Sequence, residues 1–295
     1  MGMDAKKPRR FGDRSDGRRL RSLDPFYRII PYIMRSRADA QNSFEDTLDI
    51  GPAEEWLRSR RAQGKPHLGF LHLLIAALVR TYSQRPRLNR FIAGQRIYAR
   101  NELVMSLAIK KRLDEDSPET VVKLAFRPTD TVDDVARVID AAVTENKAAE
   151  ATNETDRAAR LFMLLPGFVL RCAMWLLRVL DYHGRLPKAL IRASPFHTSA
   201  FVTDLGSLRI RPVYHHLYEF GTTSVFVAFG LREEQRVIDE QGRPALRRTV
   251  GLKVVTDERI CDGYYYASAF KYLAGLFRDP AQLERPPEAI VDDVE

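Results

Sequence analysis

Two cysteines in 295 residues, Cys172 and Cys261, exclude a disulfide framework. Neither stands in a CxxC pair or in a Cys/His cluster with metal-ligand spacing, so no metal site is expected. A reducing, cytoplasmic setting is the expectation. There is no GxGxxG, no GxxxxGK[ST], no HExxH and no GxSxG. That removes the sequence marks of dinucleotide binding, P-loop phosphate binding, zinc peptidases and the nucleophile elbow. The first residues are basic and polar with no apolar core, so no secretory signal is expected. Long uncharged apolar runs are missing too. The most apolar stretch, 161–180, is broken early by Pro166 and interrupted by Arg171 and Arg178, and is too short for a membrane span.

What remains is an ordinary globular composition, 45% hydrophobic and 29% charged, enough for one large domain or two small ones. The net charge of +8 is uneven. Residues 1–22 hold Lys6, Lys7, Arg9, Arg10, Arg14, Arg18, Arg19 and Arg21 against Asp4, Asp13 and Asp16, a net of +5. Such a leader suits weak contact with an anionic surface, peripheral to a membrane at most. Nucleic acid is not the expected partner, because Phe11 alone supplies an aromatic among these cations. The division that follows is a disordered basic leader over 1–22, a folded domain over 23–280 and an acidic tail over 281–295.

The runs FYRIIPYIM and FEDTLDI within 26–50 read as strands, or a strand and a turn. Gly51-Pro52 opens a helix with Glu54 and Glu55 near its positive end. Residues 68–84 are apolar nearly all round and stop before Pro86, the mark of a buried helix. Strands are expected over 96–109 and 120–126. Thr131 caps an amphipathic helix with Val132, Val135, Val138, Ile139, Ala142 and Val143 on one face. A polar loop or solvated helical continuation follows over 144–160. The 161–180 stretch reads as an interface or a core helix pair, with an interfacial amphipathic hairpin of helices as the other reading. The last third is strand-rich over 198–204, 208–214, 222–230, 234–239 and 245–256, with a hairpin turn at 240–244. A final helix spans 264–278, where Tyr264, Tyr265 and Tyr266 read mainly as packing residues. Helices and strands mix without strict βαβ alternation, which makes the class α+β with a large mixed sheet flanked by helices.

Four charges crowd the corner between strand and final helix: Asp257, Glu258, Arg259 and Asp262, followed by Gly263. DERICDG, with Phe277-Arg278-Asp279-Pro280 after the helix, resembles the end of the catalytic domain of 2-oxoacid dehydrogenase acyltransferases. Their signature, shared with chloramphenicol acetyltransferase, is HxxxDG. Here Glu258 takes the histidine position, while Asp262 and Gly263 stand as in the signature. The segment 66–89 resembles the family's long helix and Pro-x-Leu-Asn corner. AFVTDLGSL (200–208) is similar to its Thr-Ile-Ser-Asn-Leu-Gly strand, and SVFVAFG (224–230) to the next strand. The resemblance covers roughly 26–280, with its motifs in the right order.

It implies a chloramphenicol acetyltransferase-like fold, a homotrimer with each site in a channel between two subunits, and acyl-CoA as substrate. In the family a histidine deprotonates a thiol or hydroxyl acceptor and a hydroxyl donates to the developing oxyanion. Thr203 matches the hydroxyl position, and such donation is worth a few kcal/mol. Asp262 matches the aspartate that holds the loop by an ion pair, and Arg259 matches the arginine of the DHR form, beside Asp257. No lipoyl domain is expected, so the chain reads as a stand-alone catalytic-domain relative.

Glu258 divides the functional reading. A glutamate near 4.3 is a weak base at neutral pH unless burial raises it. One reading is an acyltransferase moving an acyl group from a thioester to a hydroxyl or thiol. The other is a non-catalytic trimeric relative, a pseudoenzyme that binds acyl-CoA or a protein partner, with Glu258 paired to Arg259 or another cation. A weaker third reading is a membrane-surface protein using the leader and the 161–180 stretch. His216, with His215, lies just after the Thr203 region and is the better histidine candidate, while His197 reads as structural. Cys261 between Ile260 and Asp262 reads as a small buried hydrophobe rather than a nucleophile.

Overall fold

A computed structural model describes residues 9–110, 119–148, 164, 166–238 and 241–295. Nine strands and seven helices are seen among them. The main sheet has six strands in the order β2 (Gln41–Asp49), β9 (Pro244–Asp257), β8 (Val225–Ile238), β7 (Ala200–Asp204), β5 (Leu103–Lys110), β6 (Glu119–Phe126). Only β5–β7 and β7–β8 run parallel, so the sheet is mixed. A small antiparallel sheet joins β1 (Gly17–Arg19), β4 (Arg96–Arg100) and β3 (Arg90–Ala93).

The side-chain alternation of the central strands decides which face carries which chemistry. Val202, Val227 and Val254 point to one face, with Leu107 and Leu252. There they meet helix α3 (Phe70–Gln84), α4 (Val132–Ala148) and α7 (Gly263–Arg278) in the main core. The α3 helix has to be buried because its apolar residues run all round it, and twelve consecutive side chains from His72 to Ser83 are. Thr131 closes the start of α4, its hydroxyl accepting from Asp134 N–H. Helix α2 (Gly51–Ala62) starts at Gly51-Pro52 and ends in Arg60 and Arg61, matching the helix dipole at its C-terminus.

The other face bears Phe201, Phe226 and Val255, then Thr203, Ala228 and Lys253 one pleat on. At its β5–β6 end the helix Lys188–Ala193 covers it, with Lys123 Nζ donating to the Ile191 and Ser194 carbonyls. Over β8 and β9 an extended strap, 209–220, lies across it. Pro212 seats on Gly230 and Gly251, where a Cβ on Gly230 would overlap the proline ring. His215 stacks on Phe226 at 4.3 Å and 11°. The alternating run 208–214 is therefore not a strand, since Pro212 offers no N–H and its seat is a sheet face rather than an edge.

Other expectations change. FYRIIPYIM forms helix α1 (Pro25–Ile33), because Asp24 caps it through Phe26 N–H and Pro25 fits its first turn. Strand 96–109 is two strands broken at Asn101-Glu102. Segments 222–230 and 234–239 are one strand, β8, with a register shift between Phe229 and Arg232. The acidic tail packs: Asp293 chelates the buried Arg90, with both guanidinium nitrogens within 2.7 Å. Residues 149–163 and 165 lie outside the described residues. The rest of the 161–180 stretch is not a core helix pair. Helix α5 (Gly167–Tyr182) buries only Asp181, and α6 (Lys188–Ala193) follows it.

The basic leader is folded from residue 9 onward. β1 pairs with β4, and Arg14 is buried at the centre of a charge cluster. Its guanidinium donates to Asp16 at 2.8 Å and to Asp181 at 2.6 Å. His197, at the start of β7, places Nε2 3.3 Å from Asp181 and Nδ1 2.8 Å from Ser194 Oγ. Burial alone would raise the Asp181 carboxyl. The hydrogen bond and charge of His197 and the Arg14 guanidinium outweigh it and hold Asp181 at about 2. Burial keeps the His197 imidazole below its ordinary value, against the pull of Asp181.

A carboxyl depressed by folding stabilises the native state above its unfolded value and loses that contribution as pH falls towards the folded one. Urea denaturation should therefore show about 2 kcal/mol of stability lost between roughly pH 4 and 2 through Asp181. Asp181→Asn should be weaker at neutral pH and fall less steeply in acid. Parallel acid limbs for the two proteins would overturn this account.

Candidate functional site

The β9–α7 corner is built around Asp257 and Arg259. Asp257 ends β9 buried, and Arg259 turns back on it two residues later. Nε and Nη2 each lie 2.7 Å from a carboxylate oxygen, and Nη1 donates to the Met34 carbonyl at 3.0 Å. A two-pronged pair of this kind fixes the direction of the chain. Between them Glu258 is turned outward. Its N–H bonds the Ala40 carbonyl at 2.8 Å, and its side chain is exposed with no ion-pair partner among the described residues. Arg259 is thus committed to Asp257, and the expected Glu258–Arg259 pairing does not form.

Asp262 does not hold the loop by an ion pair. Its Oδ1 accepts from Tyr265 N–H at 2.8 Å, capping α7, and its Oδ2 accepts from the Tyr27 hydroxyl at 2.9 Å. The cap, with the Tyr27 bond, keeps its carboxyl below the usual range. Gly263 opens α7 in the open, where a Cβ would meet nothing within 4 Å. Cys261 is buried and its thiol is pushed up to about 12 by that burial, which rules it out as a nucleophile at neutral pH. Tyr266 is a core residue, whereas Tyr264 is exposed.

Thr203 sits on β7 facing away from α3, α4 and α7, 7% exposed, between Ala108 and Ala228 of the neighbouring strands. Nearby buried hydroxyls are all engaged: Ser106 with Pro195, Ser199 with Val104, Thr198 with Thr223. Among the described residues the Thr203 hydroxyl has no hydrogen-bond partner. An unused donor on a buried sheet face is a group with capacity to receive an oxyanion.

Strand register sets the distance from Thr203 to Glu258. Thr203 is level with Ala228 and Lys253, so Glu258 lies five residues further along and two strands across. At ordinary strand dimensions that is roughly 19 Å between backbones. The two side chains do not meet within one chain. His216 is exposed on the strap, edge-on to Tyr218 at 4.9 Å, on the same side of the sheet as Thr203. His197 is buried in the Arg14–Asp181 cluster. Lys253 escaped sequence reading. It shares the Thr203 face, with Tyr214 stacked 4.4 Å from its Nζ and Glu45 at 3.6 Å. Its signal was a lone cation within LKVVT, on the face opposite the core valine.

Solved structures with a similar arrangement of strands and helices include acetyltransferases. A probable dihydrolipoamide acetyltransferase from Listeria monocytogenes superposes with a TM-score of 0.59 at 13% identity, covering 93% of this chain and 99% of that one. The dihydrolipoamide acetyltransferase of Azotobacter vinelandii, in work on a serine, a histidine and an asparagine in its catalytic mechanism, gives 0.53 at 14%, covering 89% and 93%. Chloramphenicol acetyltransferase gives 0.53 at 11%, covering 88% and 99%. This is the chloramphenicol acetyltransferase-like fold. No protein-family description matches the sequence, and no curated protein does. At these identities the likeness establishes the fold alone. Within that fold, the DERICDG corner and the Thr203 strand, two of the segments that carried the resemblance in sequence, are separated along the sheet, with Glu258 five residues beyond the level of Thr203.

Asp257→Ala should leave the Arg259 guanidinium buried without its carboxylate and cost about 3–5 kcal/mol. Urea unfolding would measure it. A loss no larger than that of an exposed substitution such as Glu258→Gln would overturn the role given to this pair.

Proposed function

We propose that the chain is a CoA-dependent acyltransferase acting as a homotrimer, with each site shared by two subunits. The observation that carries this reading is the Thr203 hydroxyl, on the sheet face turned away from α3, α4 and α7 and without a hydrogen-bond partner among the described residues. A tetrahedral intermediate formed at a thioester carbonyl needs a donor for its oxyanion, and a preorganised hydroxyl in a dry site supplies one. The other half of the chemistry is a base for the acceptor hydroxyl or thiol. Glu258 stands at that position in the DERICDG corner, turned outward and uncommitted, and can reach only a neighbouring subunit's Thr203. Closure of a trimer would desolvate Glu258, which raises a carboxyl and makes it a better base near neutral pH. Lys253, about 10 Å from Thr203 across two strand spacings, is the cation suited to the anionic part of an acyl-CoA.

In the proposed step the acceptor proton passes to a Glu258 carboxylate oxygen as the acceptor attacks the thioester carbon. The oxyanion accepts from Thr203 Oγ1, and collapse expels the CoA thiolate, which takes the proton back.

Acyl transfer from acetyl-CoA and longer acyl-CoAs to a panel of thiol and hydroxyl acceptors tests this. Thr203→Val should lower kcat by roughly 10²-fold, and Glu258→Gln by 10²-fold or more. Activity that arises only in Glu258→His would identify a non-catalytic relative and sink the proposal.

Division of the site between chains has its own readout. Thr203→Val and Glu258→Gln, each inactive alone, should regain about a quarter of wild-type activity when refolded together in equal amounts, because one interface in four then holds both intact residues. No recovery from an active wild type would place the two residues in separate sites.

A further inference from the structure

Helix α5 has no role in the fold that its composition explains. It is a 16-residue helix, GFVLRCAMWLLRVLDY, with eleven aliphatic or aromatic side chains among them, and it buries only Asp181. Its sides differ. Phe168, Cys172, Trp175, Leu176 and Tyr182 fall on one arc of the helix and are exposed, with Phe168 at 67% and Trp175 at 66%. Arg171 and Arg178, seven residues apart, line one edge of that arc and are exposed as well. Val169, Leu170, Ala173, Met174, Leu177 and Leu180 occupy the opposite arc and are half-buried. The helix is apolar on both arcs, and one of them faces solvent. Leu164, 80% exposed, continues it before the helix begins.

The helix is held from one end. Asp181 is locked to Arg14 and His197, the Tyr182 carbonyl packs where a Cβ on Gly94 would be, and the Tyr182 hydroxyl donates to Gln95 at 2.9 Å. It is therefore presented as a fixed surface element rather than as a loose segment.

Charge identifies what that surface fits. Over the described residues of 164–193 the cations are Arg171, Arg178, Arg185, Lys188 and Arg192, all exposed. The sole carboxylate there is Asp181, and it is buried and neutralised by Arg14. A solvent-facing strip of Trp, Phe, Leu and Tyr bordered by arginines, with no exposed acid, is the pattern of a helix lying in a bilayer interface. The aromatic rings suit headgroup depth, and arginine stems reach from the apolar side to lipid phosphates. Among the described residues no helix is long and apolar enough to cross a membrane, so the element would lie on the surface. We propose that α5, with the basic α6 segment after it, docks the protein on anionic phospholipid bilayers.

The test uses the full chain and vesicles of phosphatidylglycerol mixed with phosphatidylcholine, with phosphatidylcholine alone for comparison. In flotation the protein should rise with the anionic vesicles, stay behind with the neutral ones, and be released by high salt. In a Trp56→Phe background, which leaves Trp175 as the fluorophore, emission should shift to the blue on adding anionic vesicles. Arg171→Glu with Arg178→Glu should weaken partitioning roughly tenfold or more, and Phe168→Asp with Trp175→Asp should abolish the flotation. These side chains are exposed, so unfolding midpoints should be unchanged, and removal of residues 1–8 should leave binding intact. Flotation that survives both pairs of substitutions, or that is lost with residues 1–8 alone, would overturn the proposal. So would a Phe168→Asp/Trp175→Asp protein that changes its oligomeric mass while the wild type ignores vesicles, since the strip would then be a contact between copies. None of these readouts depends on acyl transfer, so the docking surface and the proposed chemistry stand or fall separately.

Discussion

Everything at the β9–α7 corner depends on one buried ion pair. Asp257 and Arg259 lie either side of Glu258 and bond each other, and that bond forces the residue between them outward. Burying both charges is costly and is offset only by good geometry and further hydrogen bonds. The Met34 carbonyl supplies one of these at 3.0 Å, so the pair also ties α1 to the corner. The Ala40 carbonyl then receives Glu258 N–H, fixing the backbone of the exposed residue to the start of β2. With Asp262 capping α7, the charged corner is a rigid bracket with one carboxylate left over.

A second bracket, around Arg14, stands at the same end of the sheet, and the buried Arg37 interacts with Asp257 of the first and Asp181 of the second. The second bracket gathers β1, the end of α5 and the start of β7 into one cluster, from positions 167 residues apart in the chain. Both brackets use arginine to order a carboxylate in the interior, where an unpaired charge would be intolerable.

Most of the fold could be read from local chemistry. The all-round apolar α3, the Thr131 cap of α4, the β8–β9 hairpin and the Asp262 start of α7 are each dictated by residues within a few positions of one another. Misreadings came where long-range partners decide the outcome. FYRIIPYIM has the composition of a strand, but Asp24 and Pro25 set it as a helix. Arg14 looked like part of a solvated leader because its partner Asp181 is far away in sequence. The site was legible as identities and not as geometry. DERICDG and FVTDLG named the candidate residues, yet the register across β7, β8 and β9, which separates Thr203 from Glu258, follows from strand pairing that no local pattern encodes. The Asp257–Arg259 pairing was open to sequence reading in principle, since alternate residues at a strand end can turn towards each other, but Glu258 competed for the same arginine.

The spacing along β9 also has a consequence for regulation. No rotamer change or loop motion closes roughly 19 Å between two positions fixed in one sheet. Any chemistry that requires both residues is therefore silent in an isolated chain. For the proposed acyl transfer, dilution would be an off-switch, and newly made protein would stay inert until its concentration allowed copies to find each other.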